Sequence, residues 1–195
     1  MNEIREDLRR ILITRSLQIG NFTLTSGMTS KHYIDAKKTT LDPEGAYLCA
    51  RLILDELARH QVEAEAIGGL TLGADPVVAA VAAVSFAERD RYTPLPAFIV
   101  RKEPKKHGTQ LYIEGFEGKK GSRIVIFDDV CTTGTSALKS IERAETHGYE
   151  VVAVICLVDR EQGAEENFSG YSFLRLFRVQ ELLSDPSVQE QLALL

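Results

Sequence analysis

Arg123-Ile124-Val125-Ile126-Phe127-Asp128-Asp129-Val130-Cys131-Thr132-Thr133-Gly134-Thr135-Ser136 is the stretch on which the fold turns. Four apolar residues of β type end in two adjacent carboxylates, and a small, hydroxyl-rich loop then opens a helix. The pattern predicts a central strand from Arg123 to Phe127 that delivers polar groups at its carboxyl end. The loop Thr132 to Ser136 can turn its backbone N–H groups and hydroxyls toward one phosphate, at the positive end of the following helix dipole. Asp128 and Asp129 would repel that phosphate, but they can accept hydrogen bonds from sugar hydroxyls one sugar-length away. A five-carbon sugar 5-phosphate satisfies both halves at once. The plain alternative is an ordinary strand, turn and helix, but two unpaired acids at a strand end repel each other unless something binds there.

Outward from this stretch, strands alternate with helices. Ala66 to Leu70 reads as a short strand, Asp75 to Glu88 as a buried Ala/Val-rich helix and Ala97 to Arg101 as a strand. Ser136 to His147 reads as a helix stopped by Gly148, and Val151 to Val158 as the next strand. Alternation of this kind predicts an α/β fold, a parallel sheet covered by helices on both faces. Ligands of such sheets sit beyond the carboxyl ends of the strands. Gly69-Leu70-Thr71, Arg101-Lys102, Asp128-Asp129 and Asp159-Arg160 all fall there, so four strand ends converge on one predicted site.

Upstream, Ile4, Leu8, Ile11 and Leu12 share one helical face, predicting an amphipathic helix over residues 2–16. Phe22 to Lys38 mixes short β-type pieces with a Ser26-Gly27 turn. A second helix is expected to start at Asp42-Pro43, with Asp as cap and Pro in the first turn, and to run to about His60. We divide the chain into an N-terminal helix and substrate hood, residues 1–40, and a core, residues 41–195.

Composition narrows the class. The chain has 195 residues, 44% hydrophobic and 26% charged, enough for one α/β domain with an appended N-terminal segment. A net charge of -5 speaks against a nucleic-acid coat or a basic membrane patch. Cys49, Cys131 and Cys156 are scattered and form no C-x-x-C, which predicts a reduced, cytoplasmic protein without a zinc site or disulfide framework. The charged N-terminus lacks a secretory apolar run, and the longest nearly apolar stretch, Val77 to Phe86, is far too short to span a bilayer.

A second motif carries chemistry. Arg101, Lys102, Lys105, Lys106 and His107 fall within seven residues, at a strand's carboxyl end and ahead of Gly108. The long polar stretch Lys102 to Ser122 predicts either a disordered segment or a functional lid. Its cations suit a leaving group such as pyrophosphate, whose charge grows as the bond breaks. Read alone, the same residues also fit a solvated basic loop.

The Arg123–Ser136 segment strongly resembles the phosphoribosyl-diphosphate signature of the type I phosphoribosyltransferases. Arg101-Lys102-Glu103-Pro104-Lys105-Lys106-His107-Gly108 looks like the catalytic loop of the orotate phosphoribosyltransferases. Phe22-Thr23-Leu24-Thr25-Ser26-Gly27 with Tyr33-Ile34-Asp35, and Leu157-Val158-Asp159-Arg160, resemble that family's substrate segments. The resemblance runs from about Phe22 to Gly163.

It implies transfer of a phosphoribosyl group to orotate, in pyrimidine synthesis. Asp128 and Asp129 would hold the ribose hydroxyls, and Val130, Cys131, Thr132, Thr133, Gly134, Thr135 and Ser136 would enclose the 5-phosphate. Arg101, Lys102, Lys105 and His107 would receive pyrophosphate, with Lys105 and His107 reaching a partner's site in a homodimer. Lys105, His107, Asp128 and Asp129 are thus the implied catalytic residues. Thr132, Arg160, Tyr33 and Ile34 would contact orotate, whose carboxylate a guanidinium can pair bidentately. Magnesium (Mg2+) would ride on the substrate, with no metal cage of protein ligands. Many family members carry lysine where this chain has Thr25 and Leu72, so pyrophosphate or orotate contacts must differ here.

Two rivals remain at this level: a phosphoribosyltransferase for another nucleobase, and a phosphoribosyl-diphosphate-sensing regulator that binds RNA. Arg160 and the Phe22 to Asp35 segment speak against the first, and the acidic net charge against the second. His60 and His147 sit at helix C-termini, where imidazole suits the dipole. Cys49 and Cys156 read as core residues. His32 stays open between core and site. Cys131 reads as structural, although its place before a helix could lower its thiol pKa.

Overall fold

The computed structural model describes residues 2–23, 29–104 and 112–195. Helix α1 (Asn2–Ile11) runs into a π-helical turn (Leu12–Ser16), as the apolar spacing predicts. Strands β1 (Leu17–Thr23) and β2 (Thr29–Ile34) then pair antiparallel, with Gln18 opposite Tyr33 and Ile19 opposite His32. A short helix α2 (Lys37–Thr40) leads to α3 (Pro43–Arg59). Asp42 caps α3 by accepting from the amides of Glu44 and Gly45, with Pro43 in the first turn.

The centre is a second, six-stranded sheet. In chain order it contains β3 (Ala66–Leu70), β4 (Ala97–Val100), β5 (Ile113–Glu114), β6 (Arg123–Cys131), β7 (Glu150–Asp159) and β8 (Ser172–Arg178). The spatial order is β5-β4-β3-β6-β7-β8, parallel except for β5. Helices α4 (Asp75–Ala87) and α5 (Thr135–His147) follow β3 and β6. Beyond β7 come α6 (Ala164–Asn167), then α7 (Val179–Leu183) and α8 (Pro186–Ala193), which complete the C-terminal part.

Alternation along β6 explains why both faces are covered. Val125 and Phe127 join Ile53 of α3 and Val78 of α4 in one core, which also takes Leu8 and Leu12 from the N-terminal segment. Ile124 and Ile126 face the other way, into a core with Ala137, Ile141 and Ala144 of α5. All four β6 side chains are within 1% of full burial, and each contributes about 1.5–3 kcal/mol relative to an exposed state.

Three boundaries depart from expectation. Strand β6 continues through Asp128–Cys131, because Asp128 stays in register with Cys156 and Cys131 with Asp159 on β7. The acids are therefore held by a sheet ladder. Strand β1 begins at Leu17, five residues before the expected β-type piece. The stretch Lys102–Ser122 contains β5, which returns antiparallel to β4 with Val100 opposite Ile113. Among the described residues, no helix is long and apolar enough to cross a membrane.

Candidate active site

The carboxyl ends of β3 and β6 and the first turn of α5 frame one cavity of about 310 Å³. Its walls are Leu70–Gly73, Lys37, Lys102, Asp128, Asp129 and Ser136. The paired acids have different surroundings. Asp128 is 8% exposed and its Oδ2 accepts from the Cys131 thiol at 3.4 Å. Burial, and then the neighbouring Asp129 charge, push its carboxyl up to about 7. Asp129 is more open, and its Oδ1 accepts from the Val130 amide at 2.9 Å. Neither acid forms an ion pair within 4 Å among the described residues, so both retain acceptor capacity toward the cavity.

The loop Thr132–Ser136 turns at Gly134, whose φ of 78° is left-handed. An added Cβ there would lie 2.3 Å from the Phe168 ring, so packing as well as backbone selects glycine. Thr133 and Thr135 share a hydroxyl hydrogen bond of 2.9 Å, and Asn167 donates to the Thr133 carbonyl at 2.9 Å. No side chain caps α5. Its first amides and the positive end of its dipole therefore keep unused donor capacity, with Ser136 on the cavity wall.

The opposite wall follows β3, where the Thr71–Leu72 peptide is cis. Gly73 lies so close to Asp129 that an added Cβ would stand 2.6 Å from its Oδ1. Of the four residues expected at the pyrophosphate pole, two are among the described residues: Lys102 lines the cavity, whereas Arg101 pairs with Glu114 at 2.8 Å. Arg143 holds the carbonyls of Arg101 and Lys102, the latter at 2.9 Å. Lys105, His107, Thr25 and the rest of residues 24–28 and 105–111 lie outside the described residues.

At the end of β7, Arg160 is 8% exposed and its backbone amide donates to the Cys131 carbonyl at 2.8 Å. Its Nη2 lies 3.4 Å from His32 Nε2, and its Nε is buried without a partner. Burial, then the Arg160 charge, lowers the His32 pKa, which favours a neutral imidazole beside the guanidinium. Tyr33 is 40% exposed on the same hairpin, with its ring 5.7 Å from Phe22, while Ile34 is buried. Behind Arg160, the buried Asp159 pairs with Arg175 at 3.2 Å and accepts from the Glu161 amide. This network fixes the strand end that carries the guanidinium. The unpartnered Nε of Arg160 leaves its fork with a donor to offer a planar carboxylate.

Cys131 takes the structural of its two readings. Its side chain is fully buried in the sheet, with its thiol donating to Asp128 Oδ2 at 3.4 Å. The neighbouring Cys156, burial and Asp128 all raise its thiol pKa, the reverse of activation by a helix N-terminus. Only its backbone remains available to wall a phosphate site. Cys49 and Cys156 are buried core residues as expected. His60 sits 3.5 Å from Glu56, and the His147 ring 4.8 Å from that of Tyr149. Lys37 and Gly73 were not singled out by the sequence. A lysine after a strand carries no periodic signal, and the reason for Gly73 is a contact with a residue 56 positions away.

This arrangement, a strand ending in two acids beside an uncapped helix behind a threonine-rich loop, defines a phosphoribosyl-binding α/β protein. The phosphoribosyl transferase domain family matches residues 51–191. The chain is 44% identical to the orotate phosphoribosyltransferase of Synechocystis sp., over 92% of this chain and 89% of that one. It is 43% identical to that of Aquifex aeolicus, over 92% and 97%. A crystal structure of Mycobacterium tuberculosis orotate phosphoribosyltransferase in complex with 5-phospho-alpha-D-ribosyl 1-diphosphate superposes with a TM-score of 0.75. It has 31% identity and covers 92% of this chain and 98% of that one. The chain belongs to the phosphoribosyltransferase family, in its orotate phosphoribosyltransferase branch.

Proposed function

We propose that this protein transfers the 5-phosphoribosyl group of 5-phosphoribosyl 1-diphosphate to orotate, giving orotidine 5-monophosphate and pyrophosphate. The observation that carries the reading is the placement of Asp128 and Asp129 opposite the uncapped first turn of α5 in one cavity. The acids would take the ribose 2- and 3-hydroxyls, and residues Val130–Ser136 would enclose the 5-phosphate, with Cys131 serving through its backbone. Arg160 would take the orotate carboxylate, with Thr132, Tyr33 and Ile34 framing the ring beneath a hood made by β1 and β2. Pyrophosphate would leave toward Lys102 and toward Lys105 and His107.

The bond from the anomeric carbon to the diphosphate oxygen breaks as the pyrimidine nitrogen attacks, through an oxocarbenium-like state, and the ring N–H proton passes to the departing pyrophosphate. The protein contributes position and electrostatic stabilisation, with no covalent nucleophile. The hard oxygen donors Asp128 and Asp129 suit magnesium bound to the substrate's diphosphate and ribose hydroxyls. The ion would supply charge neutralisation on the leaving group. We place the protein in the cytoplasm, in keeping with three free, buried cysteines, and as a homodimer whose basic loops complete each other's sites. A base panel tests the reading. Orotate should be converted, and uracil, hypoxanthine and adenine should not. Turnover of uracil at a rate similar to orotate would overturn the substrate assignment.

A further inference from the structure

Lys37 has no role in the reading above, yet its position fits one. It is the first residue of α2, and the turn is rigid. Thr39 and Thr40 are buried, and Thr39 Oγ1 is 2.6 Å from Ser16 Oγ. The Thr39 carbonyl is packed so closely on α3 that a Cβ at Gly45 would lie 2.2 Å from it. From this fixed backbone Lys37 reaches the wall of the cavity that holds Asp128, Asp129, Lys102 and the Thr71–Gly73 turn.

An incoming diphosphate would add further negative charge to this cavity. Lys37 and Lys102 are the cationic side chains on the described wall, facing the two acids Asp128 and Asp129. Leu72, 74% exposed on that wall, offers no charge, and Arg101 is committed to Glu114. Lys37 Nζ is 3.3 Å from Asp35 Oδ1. That contact is an ion pair without an aligned hydrogen bond, since Oδ1 is buried and lacks a donor. Asp35, and more weakly Asp129, hold the ammonium in its charged form. An ammonium has three donors, so it can keep Asp35 as a tether while pointing another N–H at an incoming anion.

We propose that Lys37 binds the diphosphate of the phosphoribosyl donor directly and assists its departure, with Asp35 holding the ammonium in place. This rests on the proposed reaction, and it adds a cation from the hood side to the one supplied by Lys102. The test compares Lys37→Met and Lys37→Arg with the unaltered protein by calorimetric titration of inorganic pyrophosphate, ribose 5-phosphate and orotate, alongside steady-state kinetics.

Lys37→Met should weaken pyrophosphate roughly tenfold, the loss of one charge-assisted hydrogen bond. Ribose 5-phosphate and orotate should change by less than about twofold. The KM for the phosphoribosyl donor should rise and kcat fall, and Lys37→Arg should recover most of both. Should Lys37→Met unfold, Lys37→Gln carries the same expectation. Unchanged pyrophosphate affinity, or equal weakening of pyrophosphate and ribose 5-phosphate, would overturn the assignment. Failure of the unaltered protein to turn over orotate would instead overturn the proposed reaction, and the pyrophosphate titration would still judge Lys37.

Discussion

Asp128 shows how one side chain can trade stability for binding. Its carboxyl is ordinary, near 3.8, in an unfolded chain, and burial raises it to about 7 in the folded one. The folded protein therefore keeps a proton that the unfolded chain releases from about pH 4 upward. This contribution to stability is fully present below pH 4 and is lost as the pH rises through about 7. Asp128→Asn removes the titrating group while preserving shape. The ligand-free variant should lose that decline in denaturant midpoint between pH 4 and 7 and become more stable than the parent at pH 7.5, while binding ribose 5-phosphate poorly. Parallel pH profiles for the two proteins would show that Asp128 is not the titrating group.

Among the elements, the turn after β3 separates packing from function through two neighbouring glycines. A Cβ at Gly69 would lie 2.1 Å from the Phe127 carbonyl and 2.7 Å from Ala74 Cβ, both fixed by the sheet and by α4. Gly69→Ala should therefore destabilise by about 2–4 kcal/mol, as an overpacked core site does. At Gly73 the clash is with the Asp129 carboxylate, which can rotate away. Gly73→Ala should keep its thermal midpoint within about 3 °C of the parent yet lose most affinity for phosphoribosyl diphosphate. Equal loss of stability in both variants would contradict this division. Residue-level signals were strong wherever hydrophobic period and local chemistry agreed: β3 begins and ends where Ala66–Leu70 predicts, and α5 stops at Gly148, whose φ is 103°. The signals failed where tertiary partners decide. Asp128–Cys131 looks like a loop in isolation and is strand only because β7 supplies the ladder. Strand β5 is two residues long, below any periodic signature, and β8 interrupts its apolar run with Arg175, whose partner Asp159 is distant in sequence. The placement of the acids and Arg160 at strand ends, and of the threonine-rich turn before α5, was legible. The Arg101–Glu114 pairing and the reach of Lys37 were not, because each needs three-dimensional proximity.

For the molecule as a whole, the proposed homodimer makes a sharp demand. If the basic loop of one subunit serves the site of the other, Lys105→Ala and Asp129→Asn subunits are each inactive as pure assemblies. Mixing them in equal amounts after mild denaturation and refolding should restore about a quarter of the parental activity, because half of the assemblies are hybrids and each hybrid keeps one intact site. No recovery would mean that each subunit supplies its own loop.

The return of β5 to β4 has an architectural corollary. Because Val100 faces Ile113 and the Arg101 amide donates to the Tyr112 carbonyl at 2.8 Å, the two ends of the stretch between β4 and β5 are stapled side by side. The sheet is thus insensitive to the length of chain between those staples, and doubling such a span costs only about 0.6 kcal/mol of closure entropy. Replacing residues 104–111 with a short Gly-Ser connector should leave a protein that melts like its parent, still captures ribose 5-phosphate and performs almost no transfer. Evolution could then retune the speed of this catalyst by rewriting the few residues between the staples, with the framework indifferent to the edit.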